Sequence, residues 1–155
     1  MSHRASVHAA ACFALLTSLF LPLQVLAVGS GPVPTPVSPR SADAEYNQGL
    51  QNKAAKRFSE AAADFRRAVD LRQNFPEAWN ELGFALRQTG KYTDALKAYD
   101  QALRLRPNFP EALEYLGEAY VKLGRLDDAR GLLERLRTLD LERARDLEAA
   151  IQAGK

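Results

Sequence analysis

A seven-place phrase occurs twice in this chain, 34 residues apart. Arg72, Asn74, Phe75, Pro76, Glu77, Ala78 and Trp79 return as Arg106, Asn108, Phe109, Pro110, Glu111, Ala112 and Leu113. A period between 20 and 50 residues is the mark of one supersecondary unit stacked on copies of itself. Any fold open to this chain must bury the same face of each copy against the next.

Other positions keep the same spacing. Gly49, Gly83 and Gly117 form one register of small residues, and Ala61, Ala95 and Ala129 form another. Small residues in two such registers predict two helices that cross closely in each unit. Gly90 and Gly124 supply the left-handed residue that ends a helix, where the first unit has Lys56. Ser59, Thr93 and Asp127 are then expected as N-caps, each preceded by an apolar residue: Phe58, Tyr92 and Leu126. Pro76 and Pro110 fit the first turn of a helix, where the missing N–H costs nothing.

The interiors follow a 3.6-residue rhythm. Trp79, Leu82 and Leu86 share one face, and Ala95, Leu96, Tyr99, Ala102 and Leu103 line the next helix. Phe65, Tyr99 and Leu133 repeat in register, as do Leu71, Leu105 and Leu139. Each unit therefore reads as a helix hairpin, with units at 42–75, 76–109 and 110–143.

These residues resemble the tetratricopeptide repeat family. The second unit meets its pattern with Trp79, Leu82, Gly83, Leu86, Ala95, Tyr99, Ala102 and Pro107. The third keeps Leu113, Leu116, Gly117, Tyr120 and Ala129, then has Leu133, Leu136 and Leu141 in place of Phe, Ala and Pro. The first keeps Gly49, Ala61, Phe65 and Ala68 but has Glu45 and Gln48 where Trp and Leu are expected. The resemblance implies an all-α fold, a right-handed superhelical solenoid of antiparallel helix hairpins.

The second helix of the third unit carries a wide apolar face of Leu132, Leu133, Leu136 and Leu139. Leu141, Ala144, Leu147, Ala150 and Ile151 follow on helical spacing. A stack of hairpins leaves its last apolar face bare, so residues 141–153 are expected to form a capping helix. Glu142, Arg143, Arg145, Asp146 and Glu148 would face outward. A contact with a second chain is the other use for such a stripe.

The N-terminal stretch stands apart. Arg4 precedes the apolar run Ala9 to Leu26, and Val25, Leu26 and Ala27 resemble a cleavage site, so residues 1–27 read as a secretory signal peptide. A retained membrane anchor is the alternative, since Ala9 to Val28 approaches the length of a bilayer span. Residues 28–41 read as a proline-rich linker, with a proline-rich ligand for another domain as the alternative. An exported, periplasmic protein is expected if Ala27 is the cleavage point, and a membrane-anchored one otherwise.

Chemistry is scarce beyond that point. Cys12 is the sole cysteine and His3 and His8 the only histidines, all within the expected signal. The remainder lacks the commonest general base, thiolates, and His or Cys metal ligands, so neither an enzyme nor a cofactor is expected. Twenty-one basic residues are interleaved with 19 acidic ones. A nucleic-acid partner needs cations gathered on one face, and none is expected, nor is a small-molecule substrate.

What the resemblance implies instead is a concave groove lined by the first helix of each unit. Carried over position by position, its lining is Asp43, Tyr46, Leu50 and Lys53; then Glu77, Asn80, Phe84 and Arg87; then Glu111, Glu114, Glu118 and Val121. Tyr46, Leu50 and Phe84 give an apolar patch, and the three later glutamates an acidic end. The expected partner is a protein or peptide segment with an apolar anchor near Phe84 and basic residues toward Glu114 and Glu118.

Overall fold

The computed structural model describes residues 40–154, which fall within one compact unit, Val37–Lys155. The expected signal segment, and the linker apart from Arg40 and Ser41, lie outside the described residues. Seven helices follow in order: α1 Ala42–Ala54, α2 Phe58–Leu71, α3 Pro76–Gln88, α4 Tyr92–Leu105, α5 Pro110–Lys122, α6 Leu126–Leu139 and α7 Leu141–Ala153. Among the described residues there is no strand, and no helix is long and apolar enough to cross a membrane. The described fold is an all-α stack of helical hairpins.

Helices pair as α1 with α2, α3 with α4 and α5 with α6, while α2 packs on α3, α4 on α5, and α7 on both α5 and α6. The hairpins close over one left-handed residue each, Gly90 at φ 77° and Gly124 at φ 72°, with Lys56 at φ 58° in the first. In the second, Lys91 N–H reaches back to the Leu86 carbonyl at 2.9 Å. The next helix starts at once, which corrects the expected caps. Arg57, Lys91 and Arg125 are the N-cap residues, without a side-chain cap bond, and Phe58, Tyr92 and Leu126 are the first helical residues. Ser59, Thr93 and Asp127 sit inside the first turn, because the turn leaves room for only one residue between its left-handed member and the helix.

The core runs along the stack through Phe65, Val69, Leu82, Tyr99, Leu113, Leu136 and Leu147, each buried. A Cβ on Gly49 would stand 2.6 Å from the Phe65 ring, and one on Gly83 would stand 2.6 Å from the Tyr99 ring. These two glycines make room for an aromatic side chain rather than for a bare backbone crossing. Not every repeated leucine joins the core. Leu71 and Leu139 end their helices exposed, and Leu141 is 62% exposed despite its place in the expected capping stripe.

The first unit replaces tryptophan with a polar seam. Glu45 is 4% exposed and accepts from Arg67 at 2.8 Å; Arg67 also reaches Asp64, which accepts from Asn52. Ser41 caps α1 by accepting from Ala44 N–H at 3.1 Å. Buried carboxylates are tolerable only when so paired.

Candidate functional site

Helices α1, α3 and α5 each open at the same place in the period, and α3 packs on α5 and α5 on α7. Pro76 and Pro110 are the first residues of α3 and α5, with their φ already helical. Asp140 does the corresponding work for α7 by accepting from Glu142 and Arg143 N–H, both at 3.1 Å. Asp140 occupies the place of Arg72 and Arg106 in the earlier units, so a connector there becomes a cap and α7 begins immediately.

Phe84 is the centre of the lining. Its half-buried ring meets Phe58 at 6.0 Å and Tyr115 at 5.5 Å, with Lys53 Nζ 5.2 Å and the Arg87 guanidinium 5.6 Å from its centroid. Arg87 also lies 5.4 Å from the Tyr115 ring. Both cations are tied to neighbouring helices, Lys53 to Glu81 at 2.6 Å and Arg87 to Glu118 at 2.7 Å. The patch is thus aromatic in its floor and held at its edges by ion pairs.

The glutamates of α5 are not a free acidic surface. Arg143 donates to Glu111 at 2.9 Å and to Glu114, which is 7% exposed, while Glu118 holds Arg87. Arg143 therefore faces the lining, a correction to its expected outward place on α7. Burial raises the Glu114 pKa, and Glu118 and Asp146 add to the rise against the opposing effect of Arg143. Burial likewise pushes the Tyr115 hydroxyl up, with Glu114 contributing.

Nearer the first unit, Tyr46 turns into the seam between hairpins, 4.8 Å from Phe75 and 5.7 Å from Phe65, and Leu50 packs on the core. The expected patch of Tyr46, Leu50 and Phe84 is centred instead on Phe84 and Tyr115. Asp43 and Glu77 bind Arg72 and Arg106 at the ends of their own units, and those arginines lie over Phe75 at 3.8 Å and Phe109 at 4.6 Å. Burial would raise the Glu77 pKa, but the bonds from Arg106 and from its own backbone N–H bring it below the ordinary value. Asn80 is 3% exposed, and its Oδ1 has no hydrogen-bond partner among the described residues. Val121 meets α7 across a cleft of 240 Å³ shared with Arg87, Ala150 and Gly154.

Tyr115, Glu81 and Arg143 belong to this site; the first two were not singled out from the sequence, and Arg143 was expected on the outer side of α7. Tyr115 and Glu81 stand one place off the lining register. Only the stagger of each inner helix on the next brings them in.

Comparison with known families and structures gives consistent matches. Residues 85–124 match a family described as TPR repeat, and residues 65–97 and 111–140 match two described as tetratricopeptide repeat. No curated protein matches. Among solved structures, the fold is similar to the first TPR of Spaghetti (RPAP3) bound to an HSP90 peptide, SRMEEVD, with TM-score 0.68 and 21% identity over 73% of this chain and 92% of that one. It is also similar to the TPR2B domain of yeast Sti1 in complex with pHsp70, with TM-score 0.68 and 17% identity over 73% and 94%. A third likeness is to PcrH in complex with the chaperone binding region of PopD, with TM-score 0.66 and 22% identity over 72% and 89%.

Proposed function

Because this chain is a tetratricopeptide repeat protein, we propose that its inner face holds an extended segment of a partner protein, and that it works as a non-catalytic adaptor. The observation that carries this reading is the half-buried Phe84 ring, flanked by Tyr115, Lys53 and Arg87. An aromatic held in place before binding loses little entropy when a ligand side chain covers it. The similar structures solved with an HSP90 peptide, with pHsp70 and with a region of PopD lend support to peptide capture on this fold.

Charge narrows the partner. Glu111, Glu114, Glu118 and Asp146 outnumber Arg87, Lys122 and Arg143 by one at the α5–α7 end, so the segment carries Lys or Arg there and an apolar residue over Phe84. An acidic tail such as SRMEEVD is repelled. The lack of any His beyond His8 and of any Cys beyond Cys12 supports the non-catalytic reading. Export to the periplasm follows if residues 1–27 are removed, which N-terminal sequencing of the mature protein tests; retention of that segment would make the protein membrane-anchored.

Selection of random twelve-residue peptides on the full chain tests the groove. The expected outcome is enrichment of an apolar residue with Lys or Arg to one side, and binding at least tenfold weaker to Phe84→Ala. Peptides that bind that variant equally well would refute the reading.

A second reading, a structural subunit of an oligomeric envelope assembly, is favoured by the exposed Leu139 and Leu141 at the α6–α7 joint. A monomer by light scattering at working concentration rules against it.

A further inference from the structure

We propose that the cleft between α2 and α4 is a second binding site, which takes an anionic segment of a partner protein with an apolar residue resting on the Trp79 indole. The cleft has a volume of 360 Å³ and is lined by Arg66 of α2, Trp79 of α3, and Asp94, Lys97, Gln101 and Arg104 of α4. Three cations face one carboxylate. Lys97 takes that carboxylate at 3.0 Å, Arg104 is held by the amide oxygen of Gln101, and Arg66 makes no ion pair with the described residues. Guanidinium donors are therefore open to carboxylate or phosphate oxygens, which they bind in pairs.

Trp79 is fixed in advance. Its indole N–H donates to the Gln73 carbonyl at 2.8 Å, and its ring packs on Ala102, Phe109 and Ala112. A bound side chain meets an oriented surface, and Trp and Arg are the residues that carry most interface energy.

The repeat supplies an internal control. One period later Arg66, Trp79 and Lys97 become Asp100, Leu113 and Gly131. The third hairpin stacks on the second, through α4 on α5, without these residues, so hairpin stacking does not demand them one unit earlier. Size separates a chain segment from a free ion. From Asp94 to Arg104 the helix runs about 15 Å, the reach of roughly five extended residues, whereas one phosphate fills a fraction of it.

Trp79 is the only tryptophan of the chain, so its emission reports this site directly. The probes are a ten-residue peptide of alternating Glu and Leu, its phosphoserine counterpart, a Lys–Leu counterpart and a single-stranded DNA oligonucleotide, each titrated at low and physiological salt. A saturable change is expected with either anionic peptide, weaker in salt and absent with the Lys peptide. The two anionic arms show which oxygen source binds better. In Arg66→Ala/Lys97→Ala the affinity falls at least tenfold; if circular dichroism shows that variant unfolded, Arg104→Gln takes its place with the same expected fall. No saturable change, equal affinity in the folded variant, or stronger binding of the oligonucleotide than of either peptide overturns the proposal.

Discussion

Leu147 of α7 fills the space over Gly117, its two Cδ atoms 2.6 Å from where a Cβ on that glycine would stand. In the first two units the same space is filled from within the unit, by Phe65 over Gly49 and Tyr99 over Gly83. The third unit has Leu133 at the aromatic place, and α7 contributes the missing side chain from outside. Arg143 makes a parallel substitution. Arg72 and Arg106 bind the acid that opens the inner helix of their own units, and in the third unit, where Asp140 stands instead, Arg143 binds Glu111. The third hairpin is completed by α7 twice over, once in its core and once in its charges.

Leu147→Ala is therefore expected to cost about 2–5 kcal/mol, the range for removing a fully buried leucine. Gly117→Ala should destabilise in the same direction by pushing Leu147 away, and both variants should become sensitive to trypsin at Arg143 and Arg145. Urea denaturation with limited proteolysis measures this. A cost under about 1 kcal/mol for Leu147→Ala would mean that α7 is not integral to the third unit.

Arg143→Ala leaves Glu114 buried without its partner and is expected to cost about 1–3 kcal/mol, the penalty for orphaning a buried polar group. The cost should shrink when Glu114 is already Gln, because the orphaned group is then neutral. A double-mutant cycle reads the difference, and full additivity would argue against the pair.

Glu114 also predicts a pH dependence. Its folded pKa lies above the ordinary 4.5, chiefly through burial, so the folded state holds this proton more tightly than the unfolded chain does. The group favours the fold below pH 4.5, and that contribution is lost as pH rises through the folded value. Glu114→Gln keeps an oxygen for Arg143 and removes the titration. Its stability relative to the parent should increase from pH 4.5 upward in urea melts; a constant or falling difference would contradict the assignment.

Lys56 adopts φ 58° where the other two hairpins have glycine. A left-handed conformation costs a side-chain-bearing residue about 1–2 kcal/mol, partly offset by the greater freedom of glycine in the unfolded chain. Lys56→Gly should thus raise stability by up to about 1 kcal/mol, while Gly90→Ala lowers it by a similar amount. Space is not at issue for Gly90, since a Cβ there would meet nothing within 4 Å. Thermal melts of the two variants moving in the same direction would refute the argument.

The lining was legible in part. Phe84, Arg87 and Asn80 could be placed because the period puts them on the inner helix at fixed positions. Their surroundings could not, because Lys53 reaches Phe84 from α1, and Tyr115 and Glu118 reach Phe84 and Arg87 from α5. Ser59, Thr93 and Asp127 show the same limit at a smaller scale: the residue types suit a cap, but the tightness of the turn put Arg57, Lys91 and Arg125 in that role.

By itself the sequence determined the all-α hairpin architecture, since a 34-residue period carrying glycine, alanine and proline at constant places is a property of the chain order alone. Charge partners and the space over Gly117 were decided only in three dimensions. Helices that lie side by side are staggered, and a side chain's neighbour across that stagger is not at its own register position. The glutamates of α5 thereby became paired and partly buried groups, and α7, which reads as a cover for an apolar face, also completes the hairpin it covers.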